Sequence, residues 1–150
     1  MGTGLGDEAG TGVSWRARPI TIWLYALLAV ALGVTALFGG VIMLLDPSGT
    51  TMALQVEWLD GTPFRDYFIP GLILFGVLGV GSLVVVYGIA RRRQWAWWAA
   101  VGLGIALVGW ITTQVLLLQM YHILQFVYGA LGATLVALAV HPSTRTDLRR

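Results

Sequence analysis

From residue 96 to residue 140 the chain runs for 45 residues without an Asp, Glu, Lys or Arg. At 1.5 Å per residue a single helix of that length would reach about 68 Å. The hydrocarbon core of a bilayer is only ~30 Å thick. A run of this kind can only fold back on itself, each arm then being long enough to cross a membrane. Two further uncharged runs, residues 20–45 and 71–90, precede it. Apolar residues make up 57% of the chain and charged residues 11%, against about 25% charged in a soluble domain. So few charges could not wet the surface of a 150-residue globule, so lipid is the expected solvent for most of it.

These runs predict an all-α integral membrane bundle of four spans, at about 20–45, 71–90, 97–118 and 123–140. The membrane domain covers residues 15–141, between a disordered tail (1–14) and a cytoplasmic tail (142–150). The first segment is rich in Gly and small polar residues and has too little apolar content to pack. The first apolar run is too long for the core of a secretory signal. Pro19 suits the first turn of a helix, where its missing N–H costs nothing. Ala29 and Gly33 are spaced for a close helix contact, and Gly39-Gly40 for a bend or a close neighbour. Gly76, Gly79, Gly81 and Gly88 predict close backbone contacts on the second span. Trp95, Trp97 and Trp98 read as part of an interfacial aromatic belt. The turn between the last two spans falls at Gln119-Met120-Tyr121-His122, the most polar point of the long run. Pro142 reads as a stop.

The loop between the first two spans holds Asp46, Glu57, Asp60 and Asp66, four of the seven acids. Asp46-Pro47-Ser48-Gly49 carries strong turn chemistry. Met52, Val56 and Leu59 fall at helical spacing and predict a short amphipathic helix. Gly61 would end it, and Thr62 with Pro63 would cap and start another turn. Trp58, Asp60, Pro63, Phe64, Arg65 and Asp66 form the candidate interaction surface of this loop.

Charge sets the orientation. All nine basic residues are Arg. Arg16, Arg18, Arg91, Arg92, Arg93, Arg145, Arg149 and Arg150 share one side of a four-span chain, leaving Arg65 alone among acids on the other. The positive-inside rule makes the arginine side cytoplasmic, with both termini inside and the plasma membrane as the location. Arg placed at segment ends reads as a set of orientation charges, not as a nucleic-acid patch. Arg91, Arg92 and Arg93 serve as a topology anchor or a site for anionic lipid.

The spans hold few polar groups: Thr35, Ser82, Thr112, Thr113, Gln114 and Gln125. Gln114 and Gln125 face each other across the last hairpin, as an interhelical hydrogen bond or as a polar ligand site at the outer mouth. His122 reads as a turn residue, since the other His, His141, falls across the membrane and leaves no metal or haem pair. Turn and capping roles account for Asp60 and Asp66 more simply than acid–base catalysis. The absence of Cys excludes disulfides, thiolate metal sites and thiol redox chemistry.

The run D-P-S-G at 46–49, W-L-D-G-T-P-F-R-D-Y at 58–67 and P-G at 70–71 resembles a pattern in small four-span bacterial and archaeal membrane proteins. That resemblance implies topology and no activity. The expectation is a non-enzymatic accessory protein without cofactor, whose partners are the bilayer and a membrane protein or further copies of itself. The alternative is a small transporter or channel with a polar pathway near Gln114 and Gln125.

Overall fold

The computed structural model describes residues 18–118 and 121–150. The expected N-terminal tail, Trp15, Arg16, Gln119 and Met120 lie outside them. Within them the chain is all-helical: α1 (Ile20–Leu45), α2 (Phe68–Ala90), α3 (Ala96–Leu118), α4 (Ile123–Val140) and the short α5 (Pro142–Leu148). The first four are long and apolar enough to cross a membrane. They stand as two hairpins, α1–α2 and α3–α4, with the 46–67 loop at one end and the Arg91–Arg93 turn and α5 at the other.

Glycine lets the helices within each hairpin touch. A methyl group on Gly40 would stand 2.8 Å from the Phe75 backbone. Its counterpart in the second hairpin is Gly104, where a methyl group would stand 2.9 Å from the Val136 nitrogen. Neither separation leaves room for a side chain, so the backbones meet directly. Gly33 packs against Ser82, as its spacing from Ala29 leads one to expect. On α2 the expectation holds by halves: Gly79 and Gly88 meet Leu37 and Trp95, while Gly76 faces open space and Gly81 only the Gly76 carbonyl.

Several boundaries differ from the sequence reading. α2 begins at Phe68, three residues before the expected 71, because Pro70 fits the first turn and the Asp66 carboxylate accepts the Phe68 N–H at 3.0 Å. Residues Leu74–Val80 within it wind as a π-helix. α3 starts at Ala96, and Trp97 faces inward: it is 8% exposed and donates its indole N–H to the Ala139 carbonyl at 3.0 Å. Trp95 and Trp98 are exposed. Pro142 does not stop the chain. It is the first residue of α5, which tucks Thr144 and Leu148 beneath the bundle, with the Thr144 hydroxyl 2.8 Å from that of Thr21.

The end of α2 is closed by hydrogen bonds from Arg92 N–H to the Ile89 carbonyl and from Arg93 N–H to the Gly88 carbonyl. This is the Schellman pattern, with Arg92 (φ 50°) in the left-handed position that glycine normally fills. Beside it the buried Arg18 guanidinium donates to the Ile89 carbonyl at 2.6 Å and lies 3.9 Å from an Asp147 oxygen. Burial depresses the Arg18 pKa, the nearby Arg92 depresses it further, and Asp147 acts in the opposite sense. Arg91 stacks over Tyr87, and Arg145 and Arg149 over Trp97, at 5.3–5.7 Å.

The candidate site: a chamber at the loop end

The two hairpins are not packed evenly along their length. On α1 the buried residues run from Ile22 to Gly40, and on α2 from Pro70 to Ile89. On α3 the last buried residue with a described side chain is Leu107, and on α4 the first is Gly132. The halves of α3 and α4 nearest the loop therefore stand off from the first hairpin. At the arginine end the hairpins are tied, the Tyr25 hydroxyl of α1 donating to the Ala100 carbonyl of α3 at 2.7 Å.

Between the separated halves lies a chamber of about 230 Å³. Leu32, Leu78 and Leu107, each 1% exposed, stand at its deep end. Thr35, Gly39, Leu74, Trp110, Leu124 and Tyr128 are among the residues that wall it, and Met52 of the loop reaches its upper edge. Gln114 and Gln125 both line it. They share a wall, and no hydrogen bond joins them. Gln125 is used locally, its side-chain oxygen accepting the His122 N–H at 3.1 Å while His122 Nδ1 accepts the Leu124 N–H at 3.2 Å. The two residues close the start of α4 as a reciprocal capping box. His122 is thus a helix cap, and His141 does the same for α5, its Nδ1 accepting from Ser143 N–H.

The other polar groups of the spans turn inward on their own backbone. Thr35 donates to the Ala31 carbonyl, Thr112 to Val108 and Thr113 to Gly109, at 2.7–3.0 Å. Ser82, fully buried, donates to the Leu78 carbonyl. Each satisfies a hydroxyl without a partner helix, an economical solution in apolar surroundings.

The loop is ordered by its own turn chemistry. Asp46 accepts from the Ser48 hydroxyl and from both the N–H and the hydroxyl of Thr51, the latter two at 2.7 Å. These bonds, Ser48 first, draw its pKa down to about 2. The expected amphipathic helix is replaced by two short 3₁₀ turns, Thr50–Met52 and Val56–Leu59. Ala53, at φ 55°, breaks the chain between them. Thr62 caps no helix; its hydroxyl donates to Leu59 and accepts from Phe64 N–H.

Tyr67, which enters the sequence reading only as the last residue of the 58–67 pattern, fixes the loop as a whole. Its N–H donates to the Pro47 carbonyl at 2.9 Å and its hydroxyl to the Gln55 carbonyl at 2.7 Å. It is 5% exposed, and its ring lies against Gly49, held at φ 77°. Burial, with Glu57 as a lesser contribution, raises its pKa. Around this anchor Asp60, Pro63, Arg65 and Asp66 are exposed, while Trp58 and Phe64 are half-buried. Phe64 lines a recess of about 60 Å³ with Leu59, Tyr67, Trp110 and Gln114. The loop thus rests on both hairpins. Arg91, Arg92 and Arg93 are exposed at the opposite end.

No family model matches this chain, and neither does any curated protein or solved structure.

Proposed function

We propose that this chain is a small integral protein of the plasma membrane, with four spans, both termini in the cytoplasm and the 46–67 loop outside. It acts without catalysis, as an accessory subunit beside another membrane protein. It is read as one of the small four-span proteins whose loop pattern it resembles.

The observation that carries this reading is a glycine-bearing face left unused within the chain. On α3, Gly102 and Gly109 stand exposed with nothing within 4 Å of an added methyl group. They fall two turns apart on one face, with exposed Ile105 and Thr112 beside them. Gly33, Gly40, Gly79 and Gly104 each receive a neighbouring helix, and exposed small residues are where a further helix can approach. The rigid loop adds a polar platform beyond the bilayer. Two of its acids, Asp46 and Asp66, are engaged in turn and capping bonds, which supports a structural role over a catalytic one. The seven described arginines at the other end, Arg18, Arg91, Arg92, Arg93, Arg145, Arg149 and Arg150, support the orientation.

Native mass spectrometry of the protein, gently extracted from its own host's membranes, tests this. The expected result is a second membrane protein present in fixed stoichiometry. A lone monomer would contradict it.

The transport reading has one specific support, the shared wall of Gln114 and Gln125. It requires water at Thr113 and Gln114. Cysteines placed there and probed with a membrane-impermeant thiol reagent react if a wet pathway exists. They stay unreactive under the accessory reading.

A further inference from the structure

The chamber has a size, a shape and a lining chemistry of its own. At about 230 Å³ it exceeds the ~150 Å³ apolar cavities that take up benzene. One turn of an α-helix with its side chains, roughly 10 Å across and 5.4 Å high, displaces about 400 Å³. A slender chain fits where a helix does not. From Leu107 to Gln114 along α3 the depth is about 10 Å, given 1.5 Å per residue.

Its lining is apolar except near the loop end. There Trp110, Gln114 and Tyr128 bring an indole N–H, an amide and a phenol hydroxyl for which the described residues supply no hydrogen-bond partner, and the amide nitrogen of Gln125 is in the same position. Three of these four groups are N–H donors, suited to a ligand that carries acceptor oxygens. No charged side chain lines the chamber. A phosphate or carboxylate placed there would lose its water without gaining a counter-charge. The wall formed by Leu74 and Leu78 belongs to the π-helical stretch of α2, a winding that recurs at functional sites.

We propose that the chamber binds a neutral membrane lipid. The hydrocarbon chain lies between the hairpins and points toward Leu32, Leu78 and Leu107. The uncharged, oxygen-bearing head lies among Trp110, Gln114, Gln125 and Tyr128, beneath Met52. This rests on the chamber alone and stands or falls separately from the partner reading.

The test uses the full chain in phosphatidylcholine vesicles with a trace of monooleoylglycerol carrying a diazirine in its acyl chain. After illumination, labelled residues are mapped by mass spectrometry. Label is expected on chamber residues of 107–114 and 124–128 at least tenfold above the exposed Phe126 and Val127, which face away from the chamber. Unlabelled monooleoylglycerol should compete at least tenfold better than oleoyl lysophosphatidic acid. Ala36→Leu, which narrows the chamber, should reduce labelling about tenfold. Gln114→Leu, which keeps the volume and removes the amide, should reduce it severalfold. Label spread evenly over exposed residues, equal competition by the phosphate lipid, or labelling unchanged in both variants would overturn the proposal. So would chamber labelling that is absent in native membranes and present only after extraction, since another occupant would then hold the site.

Discussion

The hydroxyl of Tyr25 donates to the carbonyl oxygen of Ala100 at 2.7 Å, tying α1 to α3 across the two hairpins. The bond lies at the arginine end, and the chamber opens at the other. The molecule is clamped at one end and parted at the opposite one, and most of its expected behaviour follows from that asymmetry.

Tyr25→Phe removes this bond and keeps the ring. The Ala100 carbonyl retains its own helical partner, so a loss of about 1 kcal/mol is expected. Tyr25 is fully buried, so Tyr25→Ala should cost about 3–5 kcal/mol through the cavity it leaves. Unfolding by sodium dodecyl sulfate in mixed micelles, followed by circular dichroism, measures both.

Gly40→Ala drives a methyl group into the Phe75 backbone, where 2.8 Å is available. Backbone cannot yield as a flexible side chain does, and overpacking should cost about 1–3 kcal/mol. Gly76→Ala meets nothing within 4 Å and should be neutral or slightly stabilising. The same unfolding assay should separate the two variants clearly.

Arg92→Gly should stabilise the protein. A left-handed non-glycine residue carries a penalty of roughly 1–2 kcal/mol, and the substitution also removes a positive charge that acts on buried Arg18. A midpoint raised in unfolding, with helix content unchanged, is the expected outcome. An unchanged or lowered midpoint would show that the guanidinium contributes more than its backbone costs.

Asp46 holds its turn as a carboxylate. Its pKa is depressed from the ordinary 3.8 to about 2, so its contribution is complete above pH 4 and fades as pH falls through 2. In a carbon-detected titration, its side-chain carboxyl should have a midpoint near 2. Asp46→Ala should loosen residues 46–54, seen as faster amide exchange at Thr51, with little change in the spans.

Much of this was legible from the chain. Uncharged runs of fixed length bounded by Arg, Pro and Gly delimit four helices because bilayer thickness leaves few other solutions. The π-helical winding of Leu74–Val80 was not, since it is local register settled by packing against α1. Trp97 was misplaced because neighbouring residues on a helix point about 100° apart, so Trp97 and Trp98 face different ways, and the sequence does not say which of them turns to the core. The loop misled for a different reason. The Met52, Val56 and Leu59 spacing suits a helix, but Tyr67 bonds Gln55 and Pro47 from beyond the segment and draws it into two turns. Gln114 and Gln125 line one chamber without bonding each other, and that space is what the sequence could not supply.

The central claim is that the loop and the arginine end face opposite compartments. Asp60 and Thr146 are exposed at the two ends, and the chain has no Cys of its own. Asp60→Cys and Thr146→Cys, each treated with a membrane-impermeant maleimide in intact cells and again after permeabilisation, read the claim directly. Asp60→Cys should react at once in intact cells, and Thr146→Cys only after permeabilisation. Reaction of both in intact cells would contradict the claim that the two ends lie on opposite sides, and the reverse order would contradict the proposed orientation.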